Sequence, residues 1–434
     1  IDATGKTNLI NVDQPNLEVF LPFDEERYTL VKSNGTTEIL TEDKFTFSNG
    51  SASLTINGLS GADPNCLLTA TIRKSNVTSK VKSKNISNSL LVRFSAEPAS
   101  GTNVGTADTT LDDGLRYGNF PYGTRVQDEE ICLNVPDVIR VFGVFESENT
   151  SDPEAPNMTT SNMNGPTAST NDIIIGESVT GQRSGAKAIY INRKSDTSIN
   201  FVYLNETTFE SGETINFSES GVSATAADVK IGSINRTQNY QFIDGQRGGF
   251  YDYARLVRRG DASAPTRKLM IYFSNAFYNT ADDGDITTVN SYDALDYGVD
   301  IAKVDGVRLT DIIDARPRVS DYEVVEGGRS PFEFDGRAFD GGQHSSKRII
   351  AQDESITVDY NYYLPRADRI YLDQFGNFNV KTGSPDDIPH LPTSVSNGVN
   401  IANVFLPAYL YNVNEAKIDF IDHKRYQMSD ISKL

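Results

Sequence analysis

Two-residue turn signals recur along this chain and restrict its fold more than any other feature. Asn34-Gly35, Asn49-Gly50, Asn57-Gly58, Asp244-Gly245, Asp305-Gly306 and Asn397-Gly398 stand mostly between short alternating runs of Phe, Val, Ile and Tyr. Both residue types tolerate the positive φ of a tight hairpin turn, so these pairs predict antiparallel strands throughout, in a mainly β protein. "FTFSNGSASLTI" shows the unit: Phe45 and Phe47 lead into Asn49-Gly50, and Leu54 and Ile56 return on an alternating face.

At 434 residues the chain is too long for one small core and predicts about two to four domains. The expected architecture is several tandem β-sandwich or barrel domains with long loops and the start of a C-terminal helix. A first sandwich, residues 1–98, closes near "LLVRFSAEP". Residues 99–170 hold strands of a second β domain within Gly, Ser, Thr, Asn and Pro-rich connections at 99–118 and 147–171. Its "VIRVFGVF" is the most apolar run and belongs at the centre of a sheet. Residues 171–234 contain a repeat: "GESV" at 176 and "GETI" at 212 lie thirty-six residues apart, as do "SGA" at 184 and "SGV" at 220. A solenoid needs at least about three repeats, so two copies predict a compact, inserted barrel-like module. The main β-sandwich domain is expected at 235–412, interrupted by a Gly and Asp loop at 326–347. Residues 413–434 are expected to enter a helix capped by Ser429, with Asp430 in its first turn.

Composition narrows the function. Forty Lys and Arg against 59 Asp and Glu give a net charge of -19, which opposes binding to phosphate backbones and to anionic membranes. No apolar run has the length of a membrane span. Cys66 and Cys132 both lie in apolar, strand-like runs and are expected as buried thiols rather than as a disulfide or metal site. The opening "IDATGKT" carries no Met and no signal-like core, and reads as the start of a fragment.

Motifs with chemical meaning mostly have a structural reading as well. "NYYLPRADRIYLDQFGNF", residues 361–378, places aromatics beside Arg366, Asp368, Arg369 and Asp373, which suits ring stacking with acid and base chemistry. The same stretch reads as a β-hairpin with Ile370, Leu372, Phe378 and Val380 on one buried face, and that reading is preferred. "TGKT" at 4–7 lacks the leading Gly of a phosphate loop, and Asn11, Asp13 and Pro15 spoil the helix that should follow. Arg259-Gly260-Asp261 spells an integrin-type tripeptide where a hairpin needs a turn. Asp282, Asp283 and Asp285 form an acidic loop suited to calcium, yet without EF-hand spacing. Glycosylation sequons stand at Asn34, Asn76, Asn85, Asn149, Asn157, Asn205, Asn216 and Asn235. His344, His390 and His423 lie in separate loop-like segments, and "HSSK" near Asp340 has no oxyanion partner. Trp is absent, which removes the commonest sugar-stacking platform. The residues point to no catalytic, cofactor or metal site.

Five stretches together resemble a known family. "YGTRVQDEEICLNVPDVIRVFGVFES", "QFIDGQRGGFYDYARLV", "VRLTDIIDARPRV", "VDYNYYLPRADRIYLDQFGNFNV" and "HKRYQMSDISKL" resemble, in this order, a large structural protein of contractile-tailed bacteriophages, notably those infecting cyanobacteria. The likeness spans roughly residues 117–434, and "GESVTGQRSGA" resembles a small β module inserted in phage structural proteins. The resemblance implies a non-enzymatic virion component of the tail, baseplate or fibre, with other tail proteins as partners, a possible host surface receptor, no cofactor and no active site to carry over. The Arg366, Asp368 and Arg369 cluster then reads as an inter-strand or inter-subunit ion-pair set. Association about a threefold axis is expected, as is continuation beyond Leu434, because Ile431 and Leu434 have the spacing that opens a coiled-coil seam. The competing readings are a bacterial surface adhesin, and a tailspike depolymerase acting on host polysaccharide.

Overall fold

The computed structural model describes residues 1–93, 116–117, 120–278, 284–293, 295–325, 328–339, 348–410 and 412–423. The chain is mainly β, arranged in several sheets and one closed six-stranded barrel. It divides into two compact units, one of residues 1–79 with 349–356, the other of 80–348 with 357–434.

The first unit folds from hairpins. Phe45–Ser48 pairs with Ser53–Ile56 across a turn in which Asn49, Gly50 and Ser51 all have positive φ. Phe45 faces Ile56 and Phe47 faces Leu54, and Leu54 and Ile56 are completely buried with Leu30 and Tyr28. Tyr28–Val31 carries Thr37–Glu38 on one side and Leu67–Ala70 on the other. Glu18, buried beneath this unit's core, is neutralised by Lys74 at 3.1 Å.

The second unit is built on a two-layer sandwich. One layer orders Ile234–Asn235, Val138–Glu146, Leu269–Tyr278 and Lys82–Val92; the other orders Glu130–Pro136, Tyr253–Arg258 and Tyr240–Ile243. Ile131, Leu133, Val144, Leu256, Ile271 and Phe273 fill the space between them. Val138–Glu146, the "VIRVFGVF" strand, is interior to its sheet, as so apolar a run requires. The pairing differs from the expected closure of a first sandwich at residue 98. Leu90, Leu91 and Val92 pair with Ile271, Met270 and Leu269, so this strand belongs to the second unit.

The barrel orders Asn157–Ser161, Ser198–Tyr203, Lys187–Ser195, Ser178–Gly181, Thr214–Phe217 and Ser223–Lys230 before closing on itself. Its chain leaves the sandwich at Glu146 and returns at Ile234, which pair with each other. The thirty-six-residue repeat becomes a pseudo-twofold axis: Val179 pairs with Phe217 and Gly181 with Ile215, about the central pair Thr180 and Asn216. Buried Glu177 accepts hydrogen bonds from the amides of Ile174, Glu219 and Ser220 and from the Ser220 hydroxyl. Buried Glu213 accepts the equivalent set from Glu210, Arg183 and Ser184. Each carboxylate thereby ties its own copy to a turn of the other. The third strand of the second copy is Asn157–Ser161, which precedes both repeats in sequence and was expected to be a connection. It completes the symmetry, because Met158 pairs with Ile199 while Asn157 and Thr159 pair with Asn200 and Ser198. Outside the barrel, Ile191 and Val202 pack on Phe142, Phe145 and Tyr272 of the sandwich.

The expected main domain at 235–412 divides differently. Residues 240–278 complete the sandwich, while Phe378–Lys381, Arg366–Asp373, Gly398–Leu406 and Lys417–Phe420 form a separate four-stranded antiparallel sheet. A boundary at 412 would cut this sheet, since Lys417 to Phe420 pair with Phe405 to Ala402. The helix start at Ser429, with Ile431 and Leu434, lies outside the described residues, as does the 99–115 connection.

Candidate functional site

The strongest concentration of charge lies inside the second unit. Lys80, Lys82 and Lys84 alternate along or just before one strand and so point to one side of it. Each meets a carboxylate: Lys80 Nζ lies 3.2 Å from Asp285, Lys82 Nζ 2.8 Å from Asp137, and Lys84 pairs with Asp300. Asp137 sits at positive φ between two strands, a conformation that Asp tolerates and that turns its carboxylate inward. It also accepts from Gln246 Nε2 at 3.1 Å. Lys82 donates to the Tyr251 hydroxyl at 3.1 Å, and that hydroxyl donates in turn to Asp314. Arg316 closes the chain as a fork on Asp314, with N–O distances of 3.0 and 2.8 Å. Arg318, fully buried, donates from its side chain to the Ala276 carbonyl and from its amide to Asp285.

Within this cluster four cations, Lys80, Lys82, Arg316 and Arg318, meet three carboxylates, Asp137, Asp285 and Asp314. Aromatic faces also receive these cations. Arg316 lies 4.1 Å from the centre of the Tyr251 ring, Arg318 4.5 Å from Tyr278, and Lys82 5.0 Å from Tyr292. Burial alone raises the Asp137 carboxyl, but Lys82 and Arg318 outweigh it and hold it below its ordinary value. Burial also raises Asp314, whose bonds to Arg316 and Tyr251 bring it down. Burial drives the Tyr251 phenol well up, helped by neighbouring tyrosines and carboxylates, so it stays protonated and donating.

A Lys-Tyr-Asp chain has the groups for proton transfer, but Tyr251 and Arg318 are 0% exposed and Lys82 is 1%. Lys82, Tyr251, Asp137 and Asp314 turn their donors and acceptors on one another, which suits a clasp between strands. It joins Lys82–Val92, the turn at Asp137, the segment around Tyr251 and the "DARPRV" segment. A second clasp repeats the logic: Asp252, itself buried, takes a two-point contact from Arg337, at 2.6 and 2.9 Å, and another from Arg247 at 2.5 Å.

The residues singled out in "NYYLPRADRIYLDQFGNF" do not converge. Asp368 and Asp373 stand on opposite faces of one strand, five residues and so about 16 Å apart, too far for a pair of catalytic carboxylates. Asp368 accepts from Arg366 and from the Gly383 amide at 2.9 Å. Asp373 caps its turn by accepting from the amides of Asn377 and Phe375, which lowers its pKa. Of the expected inter-strand or inter-subunit ion-pair set, Arg366 and Asp368 pair along one strand rather than between strands, and Arg369 donates to the Pro392 carbonyl at 2.6 Å. The hairpin forms with Leu372 opposite Phe378 and Ile370 opposite Val380. Its apolar face, expected to be buried, is only half so: Ile370 and Leu372 are half-buried, whereas Phe378 is 72% exposed and Val380 58%. Val399, Ile418 and Phe420 extend the exposed apolar surface.

The remaining motifs scatter. At "TGKT", Asp2 accepts from Thr4 and Lys6, Gly5 packs against the Leu59 carbonyl, and a strand rather than a helix follows. Arg259-Gly260-Asp261 occupies the connection between two sandwich strands. Asp285 is held by Lys80, whereas Asp282, Asp283, Asp340 and His344 lie outside the described residues. His390 and His423 belong to different connections, and among the described residues no His, Cys, Asp and Glu group is arranged to hold a metal ion. Burial pushes the Cys132 thiol up to about 12; Cys66 is half-buried, and both are free. The sequon residue Asn157 is buried in the barrel.

The clasp was not singled out from sequence. Its legible signal is the period of two in "SKVKSK", repeated in "ARPRV": cations recurring on one strand face mark a side that meets carboxylates. Residues 315–434, from the clasp arginines through the four-stranded sheet, match a family model described as a domain of unknown function, DUF4815. No curated protein and no solved structure matches the chain.

Proposed function

We propose that this chain is a non-enzymatic structural component of a contractile phage tail, in the baseplate or a fibre next to it. The observation that carries the reading is the division of its surface chemistry. The densest set of charged groups is buried and spent on holding strands together, while a broad apolar sheet face is left outside. Such a body suits mechanical load and assembly with neighbours better than turnover of a substrate. The sequence resemblance to phage tail proteins supplies the setting, with other tail proteins and further copies of the chain as partners. Antibody labelling of purified contractile-tailed particles tests it: label at the tail end is the expected result, and label confined to the bacterial envelope would establish the adhesin instead. For the depolymerase, incubation with host capsular polysaccharide is expected to release no new reducing ends.

A further inference from the structure

Residues 355–363, "SITVDYNYY", are all exposed and belong to no helix, turn or strand. Among the described residues, no hydrogen bond reaches the backbone of 355–362. Tyr360, Tyr362 and Tyr363, three aromatic side chains within four residues, are each more than half exposed. An endopeptidase holds its substrate as an extended strand, through the substrate's main chain, so a bond inside folded structure is cut only after local opening. Here no opening is needed. Phe375, Phe378 and Phe420 are more exposed than these tyrosines, yet the backbone holds each of them. The Phe375 amide donates to Asp373 in a hairpin turn, while Phe378 is paired with Leu372 and Phe420 with Ala402.

We propose that residues 355–363 are a processing site, hydrolysed in the folded chain by an endopeptidase that selects an aromatic residue before the scissile bond. The oxygen of water adds to the carbonyl carbon of Tyr360 or Tyr362, the C–N bond breaks, and the amine of Asn361 or Tyr363 leaves with a proton. The cut falls between two parts of the fold. Arg316, Arg318 and Arg337 stay on the N-terminal product together with Asp314, Asp285, Asp137 and Asp252, the carboxylates they meet. The four-stranded sheet, from Arg366 to Phe420, goes wholly to the other product. The family-matched residues 315–434 are thereby two pieces, a clasp segment and a sheet, joined through a stretch that an endopeptidase can enter. The inference stands apart from the virion reading, since it concerns only this chain's own backbone.

Limited digestion of the full 434-residue chain with chymotrypsin, read by intact mass, tests it. Fragments ending at Tyr360, Tyr362 or Tyr363 are expected before any that end at Phe375, Phe378 or Phe420. A free peptide of residues 352–368 supplies the unprotected rate, and the folded chain should be cut within about tenfold of it. That ratio should stay level as urea is raised below the unfolding transition, whereas cutting at the three phenylalanines should accelerate. Tyr360→Ser, Tyr362→Ser and Tyr363→Ser combined should slow the separation of the two products about tenfold or more without moving the melting temperature, because these side chains are exposed. Cutting more than about tenfold slower than in the peptide, a rate that climbs with urea, or first fragments ending at the phenylalanines overturns the proposal.

Discussion

The barrel and the C-terminal sheet are built from the same alternating strands, yet one is finished and the other is not. In the barrel, Met158, Val179, Ile199, Phe201 and Ile215 are entirely enclosed, and closure leaves no strand edge. In the sheet, Phe378, Val380, Ile418 and Phe420 share a face and are exposed, and among the described residues its two outer strands have no further neighbour. A period of two states which residues face together. Whether that face is covered depends on connectivity: the barrel's two repeats cover each other, whereas among the described residues no second layer lies over the sheet.

The largest effect expected from testing this contrast follows excision of residues 147–233, with a short Gly-Ser bridge joining Glu146 to Ile234. The sandwich refolds cooperatively, because those ends already pair, but the cover over Phe142, Phe145 and Tyr272 is lost. At about 1.5–3 kcal/mol for each side chain, calorimetry should show a loss of several kcal/mol. Failure to refold would mean that the barrel is part of the sandwich's own core. Next, Asp137→Asn keeps a residue tolerant of positive φ but leaves Lys82 without its buried carboxylate; denaturant titration should register a loss of about 3–5 kcal/mol. Ile215→Ala in the barrel core should cost about 2–5 kcal/mol, against about 0.5 kcal/mol or less for Phe378→Ser or Phe420→Ser in the monomer. Equal losses at barrel and sheet would erase the comparison. The smallest effect is the pseudo-symmetry itself: Glu177→Gln and Glu213→Gln should destabilise by amounts agreeing within about 0.5 kcal/mol.

Acid should separate the regions too. Asp137, Asp314 and Glu213 are held below their ordinary values of 3.8, 3.8 and 4.5. A depressed carboxyl stabilises the fold above its unfolded value, and that contribution disappears as pH falls through the folded value. Stability of the sandwich and barrel should therefore be steady at neutral pH and fall below about 4, and Asp137→Asn should flatten the profile that circular dichroism records.

Much of the fold was legible wherever local chemistry decides it. Asn49-Gly50 and Asp305-Gly306 do turn hairpins, the latter with both residues at positive φ between Lys303–Val304 and Val307–Arg308. Asn397-Gly398 does not: Gly398 opens a strand, where a Cβ would press on the Leu372 carbonyl. The repeat register was readable because identical roles, a buried Glu and a left-handed Gly, recur at one spacing. Asn157–Ser161 was hidden, since "NMTTS" is as polar as a linker and its partners lie far along the chain. The clasp was hidden for the same reason: Lys82, Asp137, Tyr251 and Asp314 meet only after the sandwich has formed, and each alone resembles an ordinary surface residue.

The insertion of the barrel between paired strand ends also orders events on the ribosome. Lys82–Val92 emerges first, but its partner Leu269–Tyr278 begins 177 residues later, from 269 minus 92. At about 5–20 residues per second that is a wait of roughly 10–40 s with this strand unpaired. The barrel is synthesised wholly within this interval and needs only its own residues to close. Once closed, it draws Glu146 to Ile234 before the last sandwich strand exists. A module inserted into the sandwich is thereby finished before the sandwich that carries it, and it hands the nascent sandwich a ready-made pairing on which the delayed strands assemble.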